Sequence, residues 1–336
     1  MIDRYSRQTL CRVIGEEGQK KLAGSSVVII GCGALGTVIA NALVRAGVGK
    51  VRIIDRDLIE YHNLQRQILF DEEDVKNQIP KAVAAERHLK KVNSSIEIEG
   101  IVADVHYANI EELVGGFDLI LDGLDNAETR FLINDVALKH GIPWVYGGAI
   151  ATYGMTMNII PGQTPCFRCV FPSVPPPGVI PTCDRAGVIS PAPSIIGSFQ
   201  TVEAMKILTG AEEINREVIY LDVWQGTFER FRPRFRPDCP ACKGSYEFLK
   251  RQFGVRATTL CGQYSVQVFD PRMEKISLPE LAKHLKASGE VSYKENMINF
   301  KVNGHKMVIF PDGRLILRNS FDEPLARELY VKYIHG

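Results

Sequence analysis

Apolar positions in the first 150 residues fall into short unbroken runs, each followed by a turn and then by helical spacing. Ser26-Val27-Val28-Ile29-Ile30 is the first, and a continuous run of this length suits a parallel strand buried on both faces. It enters Gly31-Cys32-Gly33-Ala34-Leu35-Gly36, after which residues 37–46 read as a helix stopped by Gly47 and Gly49. Residues 50–54 read as a second strand, ending at Asp55. A helix near 80–92 and a strand near 96–102 follow. Residues 117–121 lead into Asp122-Gly123-Leu124-Asp125-Asn126, then a helix near 127–139 and a strand at 144–147. This alternation predicts an α/β fold with a doubly wound, Rossmann-like, mainly parallel sheet.

Beyond residue 150 the pattern changes. Residues 153–160 are strand-like, and the proline-rich stretch 172–193 excludes a helix and reads as a loop. A helix near 194–208 and two strands within 217–231 follow. Arg230, Arg232, Arg234 and Arg236 alternate along the chain, as on one solvated strand face. Gly244 marks a boundary. The expected organisation is a domain at 1–244 and a small α+β accessory domain at 255–336. The latter carries a strand near 265–269, a helix near 278–287, hairpin turns at Asn303-Gly304 and Asp312-Gly313, and a last helix near 323–334.

Two cysteine pairs, Cys166-Phe167-Arg168-Cys169 and Cys239-Pro240-Ala241-Cys242, carry the most specific chemistry. Each C-x₂-C lets two thiolates reach one ion, and two pairs complete a tetrahedral Zn²⁺ site with no position left for substrate. The 69 intervening residues exceed any zinc finger spacing, so the metal is expected to tie a late segment onto a larger fold. A net charge of +1 gives no basis for nucleic-acid or membrane binding. No apolar run is long enough to span a bilayer, no signal-peptide pattern opens the chain, and metal-spaced thiols suit a reducing compartment, so a cytoplasmic protein is expected.

Gly31-x-Gly33-x-x-Gly36 between strand and helix is a phosphate-cradling turn, with the helix N-terminus favouring an anion. Asp55, at the end of the next strand, is placed for ribose hydroxyls. Taken alone, this pattern fits an NAD-dependent oxidoreductase, for which His62 and His106 are the nearest proton-transfer candidates. A zinc-stabilised scaffold holding a nucleotide structurally is a third reading. Arg66 and Lys81, with Asp125 at a strand end as a Mg²⁺ ligand, instead suit a triphosphate whose growing charge must be neutralised.

The chain resembles the ThiF/MoeB adenylyltransferases, bacterial relatives of ubiquitin-activating enzymes. The resemblance rests on Arg4-Tyr5-Ser6-Arg7-Gln8, Gly31–Gly36, Asp55-Arg56-Asp57, Asn63-Leu64-Gln65-Arg66-Gln67, Pro80-Lys81, Asp122–Asn126, both cysteine pairs and Thr182-Cys183-Asp184-Arg185-Ala186-Gly187-Val188, and covers roughly residues 1–244. It implies adenylation of the C-terminal Gly-Gly carboxylate of a ubiquitin-like sulfur carrier, with pyrophosphate released. Gly31, Gly33, Gly36, Asp55, Asp57 and Asn63 would bind ATP. Arg66, Lys81 and Asp125 would act on the phosphates, and Arg7 would reach in from the partner of a homodimer. Cys183 is the candidate for a covalent carrier conjugate, with a cysteine desulfurase or other donor supplying sulfur. A ThiS-type carrier of thiazole synthesis is favoured, because thiamine-pathway members carry a similar tail, with MoeB-type service of molybdopterin synthase as the alternative. Two departures stand out. The interval from Arg66 to Lys81 is longer than the family's, which makes Lys76 a rival for the phosphate contact. Cys261-Gly262-Gln263 precedes the tail's first clear strand and does not make a rhodanese loop.

Overall fold

The structure is a computed structural model that describes residues 4–174, 186–250, 256–260, 264–273, 275–294 and 296–334. It comprises two compact units, Met1–Lys250 and Arg251–Gly336.

The first unit is built on an eight-stranded sheet. Its strands are β1 (Ser26–Ile30), β2 (Lys50–Asp55), β3 (Glu97–Val102), β4 (Leu119–Asp122), β5 (Trp144–Ile150), β6 (Tyr153–Ile159), β7 (Val218–Asp222) and β8 (Thr227–Phe231), in the order β3-β2-β1-β4-β5-β6-β7-β8. The first five are parallel, and β6, β7 and β8 extend the sheet antiparallel. The order reverses at β1, which lies between β2 and β4, so a crevice opens beyond the carboxyl ends of these three strands.

The run at 26–30 is apolar throughout because both faces are covered. Val27 and Ile29 pack in one core with Leu35, Ile39 and Leu43 of the helix Ala34–Ala46 and with Ile196 of the helix Pro191–Thr209. Val28 and Ile30 pack in a second with Phe131 and Val136 of the helix Ala127–His140, Trp144 and the knuckle residues Cys166 and Phe167. The helix at 191 starts earlier than the proline content suggests. Pro191 occupies its first turn, where a missing N–H costs nothing. The arginine alternation is no strand face. β8 ends at Phe231, so only Arg230 of the four lies on it, paired with Glu217 at 2.8 Å.

The second unit has a six-stranded sheet, β11-β12-β13-β14-β10-β9, made of β9 (Arg256–Leu260), β10 (Ser265–Phe269), β11 (Glu290–Lys294), β12 (Met297–Val302), β13 (His305–Ile309) and β14 (Leu315–Arg318), with helices Leu278–Leu285 and Glu323–Tyr333. Every pairing is antiparallel. Asn303 and Gly304, at φ 49° and 80°, close the β12–β13 hairpin, and Gly313 at φ 80° serves the turn before β14.

Candidate active site and metal centre

Each functional loop lies at the end of one strand around β1. After β1 the chain turns through Gly31 at φ +92°, where a Cβ would sit 2.6 Å from the carbonyl oxygen of Gly123. A Cβ on Gly36 would come within 2.0 Å of the Gly31 carbonyl oxygen, so the helix starts close under the loop. Gly33 differs. A Cβ there would meet nothing nearer than 3.8 Å, so no protein atom demands a glycine. The concavity it leaves, at the amino end of the helix Ala34–Ala46, fits a phosphate group approaching the backbone. Gln67 borders this space with its Nε2, while its buried Oε1 has no hydrogen-bond partner among the described residues.

After β2, Asp55 is buried and accepts hydrogen bonds from the Cys32 and Asp57 amides, at 2.6 and 2.7 Å. It thereby ties the glycine turn to the end of its neighbouring strand. Asp57 pairs with Lys81 at 3.1 Å. Burial works against the Lys81 charge, but the Asp57 and Asp55 carboxylates more than offset it and hold its pKa above the ordinary lysine value. The Asp55 carboxyl is pushed up, chiefly by burial and only partly countered by Lys81. Lys76 lies elsewhere, exposed on the helix Glu72–Lys76 and paired with Glu72. That helix lies within the interval between Arg66 and Lys81. Arg66 follows the short 3₁₀ turn Tyr61–Asn63 and donates to the His62 carbonyl at 2.8 Å, and the buried Asn63 caps the turn through the Glu60 amide.

After β4, Asp125 is exposed in the loop to the helix Ala127–His140, and no hydrogen bond from the described residues engages it. It is close enough to act electrostatically on Lys81, Arg56 and Arg130. His62 is exposed beside Glu60, and the His106 Nδ1 accepts from the Ala108 amide, so both are engaged locally. Cys183 and Arg185 lie outside the described residues, as does Cys261.

Arg7 is exposed on the short helix Ser6–Thr9. Its neighbours place it at the far end of the helix Ala34–Ala46: Gln8 donates to the Ala46 carbonyl at 2.9 Å, and the Tyr5 ring fills the space a Cβ on Gly47 would take. That helix has 13 residues, so about 20 Å separates this end from the glycine turn. The distance exceeds the reach of an arginine.

Sequence reasoning passed over Arg130 and Gln200. Arg130 pairs with the fully buried Asp122 at 2.8 Å and donates to the carbonyls of Leu124 and Gly147 at 2.6 and 2.8 Å. Gln200 donates to the carbonyls of Asp122 and Val145. Neither lies in a glycine- or cysteine-rich motif. The only signal available was an arginine one turn into the helix after a loop rich in acid.

The four cysteines converge. Sγ separations are 3.8 Å for Cys166–Cys169, 3.6 Å for Cys166–Cys239 and Cys169–Cys242, and 3.5 Å for Cys166–Cys242. A tetrahedron with metal–sulfur bonds of about 2.3 Å has edges of about 3.8 Å. The set therefore fits Zn²⁺. Burial and the neighbouring sulfurs push the Cys166 thiol up, and burial pushes Cys242 up to about 12, so a cation is what would let these groups ionise together. The helix Ala127–His140 supports the centre: Asn134 Oδ1 accepts from the Phe167 amide and Asp135 Oδ2 from the Phe248 amide, at 2.9 and 2.8 Å.

Comparison with known proteins agrees with this geometry. The ThiF family model matches residues 5–241. The sulfur carrier protein ThiS adenylyltransferase of Bacillus subtilis is 43% identical over 338 residues, spanning 99% of this chain and all of that protein. The SAMP-activating enzyme E1 of Haloferax volcanii is 38% identical over 242 residues, or 72% of this chain and 88% of its own length. Among solved structures, E. coli MccB with ATP superposes with a TM-score of 0.64 at 23% identity, covering 72% of this chain and 75% of that one. At that identity the likeness speaks for the fold alone.

Proposed function

The chain belongs to the ThiF family, and from that premise we propose that it uses ATP to adenylate the C-terminal Gly-Gly carboxylate of a ubiquitin-like sulfur carrier of the ThiS type. The observation that carries this reading is the meeting, at the reversal of strand order, of the open concavity at Gly33, the buried Lys81 paired with Asp57 and the exposed Asp125. The choice of a ThiS-type carrier draws on the B. subtilis relative, whose alignment runs through the second unit as well as the first.

In this reading a carboxylate oxygen of the carrier attacks the α-phosphorus, the bond to the bridging oxygen of the β-phosphate breaks, and pyrophosphate leaves. No general base is required, because the carboxylate is already ionised near neutral pH. The glycine turn holds the phosphates, Asp55 and Asn63 serve the ribose side, and Asp57 holds Lys81 in place. Arg66 and Lys81 stabilise the charge that develops, so positioning and electrostatics supply most of the rate. Asp125 is the residue that would hold Mg²⁺, which supplies further neutralisation of the phosphate charge. Arg7 cannot reach its own site, so it acts in the site of a second copy, which makes the working unit a homodimer. The Cys183 thiolate then attacks the acyl carbon of the carrier adenylate, AMP leaves and the carrier is held covalently, with sulfur supplied by a cysteine desulfurase or similar donor, in the reducing cytoplasm that the four thiols suit.

The test is pyrophosphate exchange into ATP with and without a Gly-Gly-ended carrier, beside an NADH titration. Exchange dependent on a ThiS-type carrier is expected. Exchange only with a carrier of the molybdopterin-synthase kind would move the assignment to the MoeB type. NADH binding without exchange would return it to an oxidoreductase.

A further inference from the structure

We propose that Arg130 is a positioning residue for this reaction: it clamps loop 122–126, which walls the glycine cradle and carries Asp125, onto the middle of β5. The kinetic consequence rests on the adenylation reading, whereas the clamp rests on geometry alone.

The loop is held from both sides. On one side its backbone lies against the glycine turn. The Gly123 amide donates to the Ile30 carbonyl at 2.8 Å, and a Cβ on Gly123 would come within 2.2 Å of the Gly31 carbonyl oxygen. Any shift of the loop is therefore felt directly in the cradle. On the other side stands Arg130, in the second turn of the helix Ala127–His140. Its Nε donates to Asp122 Oδ2, while its Nη2 donates to both the Leu124 and the Gly147 carbonyls. Asp122 Oδ1 in turn accepts from the Leu124 amide at 2.8 Å. One planar guanidinium thus links the end of β4, the middle of the loop and the middle of β5, with Tyr146 beneath it at 5.1 Å.

A plain ion pair does not account for this arrangement. A buried pair is weak evidence for stability, and apolar residues of similar volume often serve as well. What the fork adds is direction, since it fixes two carbonyls and a carboxylate at once, and the point charge of a lysine has no such geometry. Asp125 lies one residue beyond the clamped Leu124. Its carboxylate acts on Lys81 and Arg56 as well as on Arg130, so the clamp sets its distance to the charges of the neighbouring strand end.

Arg130→Lys is the informative variant, because it keeps a cation beside Asp122 and loses the fork. A misplacement of about 1 Å costs roughly 100-fold in rate, so kcat for carrier-dependent exchange should fall by that order with KM for the carrier little changed. Combining it with Asp125→Asn should bring no further loss beyond the worse single variant. Deuterium uptake should quicken across residues 122–126 while zinc content stays at wild type. If Arg130→Lys does not fold, the paired variant Asp122→Asn/Arg130→Gln removes both buried charges together, and the same readouts apply. Near-normal kcat, losses that multiply with Asp125→Asn, or unchanged uptake across the loop would each overturn the assignment. A wild-type protein that exchanges pyrophosphate with no carrier overturns the adenylation reading instead, and uptake across 122–126 then decides the clamp.

Discussion

Lys81 is the residue whose structural setting most changes what a substitution should do. Paired with Asp57 and close to the buried Asp55, it neutralises acid inside the fold, beside the phosphate role proposed for it. Removing the buried cation leaves the buried Asp55 and the half-buried Asp57 uncompensated, which costs stability, though less than the roughly 3–5 kcal/mol of a fully buried pair. Lys81→Ala should therefore lose exchange and also melt earlier, and calorimetry beside the exchange assay separates the two losses. Lys76→Ala, which breaks only the exposed pair with Glu72, should stay within about twofold of wild type in both. Cys183 calls for a different measurement. Cys183→Ser should retain pyrophosphate exchange yet form no covalent carrier conjugate, as read by intact-protein mass spectrometry. Sulfur transfer at the normal rate in that variant would make the thiol a bystander.

Among elements, the helix Ala127–His140 connects the two chemistries. Its first turns hold the loop with Asp125, and its middle holds the zinc knuckle through Asn134 and Asp135. One zinc per chain is expected by elemental analysis, and a chelator strong enough to remove it should lower the melting temperature before any specific loss of exchange. Burial raises the Asp135 carboxyl to about 6, against an ordinary value near 4, with the Phe248 amide and Arg168 opposing the shift. The folded state then keeps a proton that the unfolded state has already lost. Stability attributable to Asp135 should fall as pH rises from about 4 to 6, by up to about 3 kcal/mol, and stay flat above. Asp135→Asn keeps an acceptor for Phe248 and should remove that slope in denaturant titrations across the range.

At the scale of the whole molecule, the two units have separate interiors. Among the described residues, the sheet cores of the first contain nothing beyond residue 249, and the core of the second draws only on residues 257–334. A chain ending at Lys250 should accordingly fold, bind zinc and support exchange, with any loss appearing in KM for the carrier. A folded truncation without exchange would give the second unit a part in the chemistry. The proposed homodimer is tested by subunit mixing. Arg7→Ala and Arg66→Ala chains, each inactive alone, should regain up to about a quarter to a half of activity as heterodimers, since one of the two composite sites is then intact. No recovery after confirmed subunit exchange would count against action in trans.

Periodicity and local motif chemistry were enough to specify the parallel sheet, the glycine turn and the cysteine set. A strand buried on both faces must be apolar throughout, as Val27–Ile30 is, and a phosphate-binding turn needs glycine wherever backbone approaches backbone or ligand. Spacing alone also grouped Cys166 with Cys169 and Cys239 with Cys242. Contacts between residues far apart in the chain left no local trace. Pro191 could start a helix because its environment there asks for no N–H, and the alternating arginines left the sheet because β8 ends before them. Lys81 and Lys76 differ in setting only through folding, which puts Lys81 near three carboxylates and leaves Lys76 on an exposed helix. Arg130 became a clamp because β4 ends beside the first half of β5, and such adjacency is a property of packing, which no window of sequence contains.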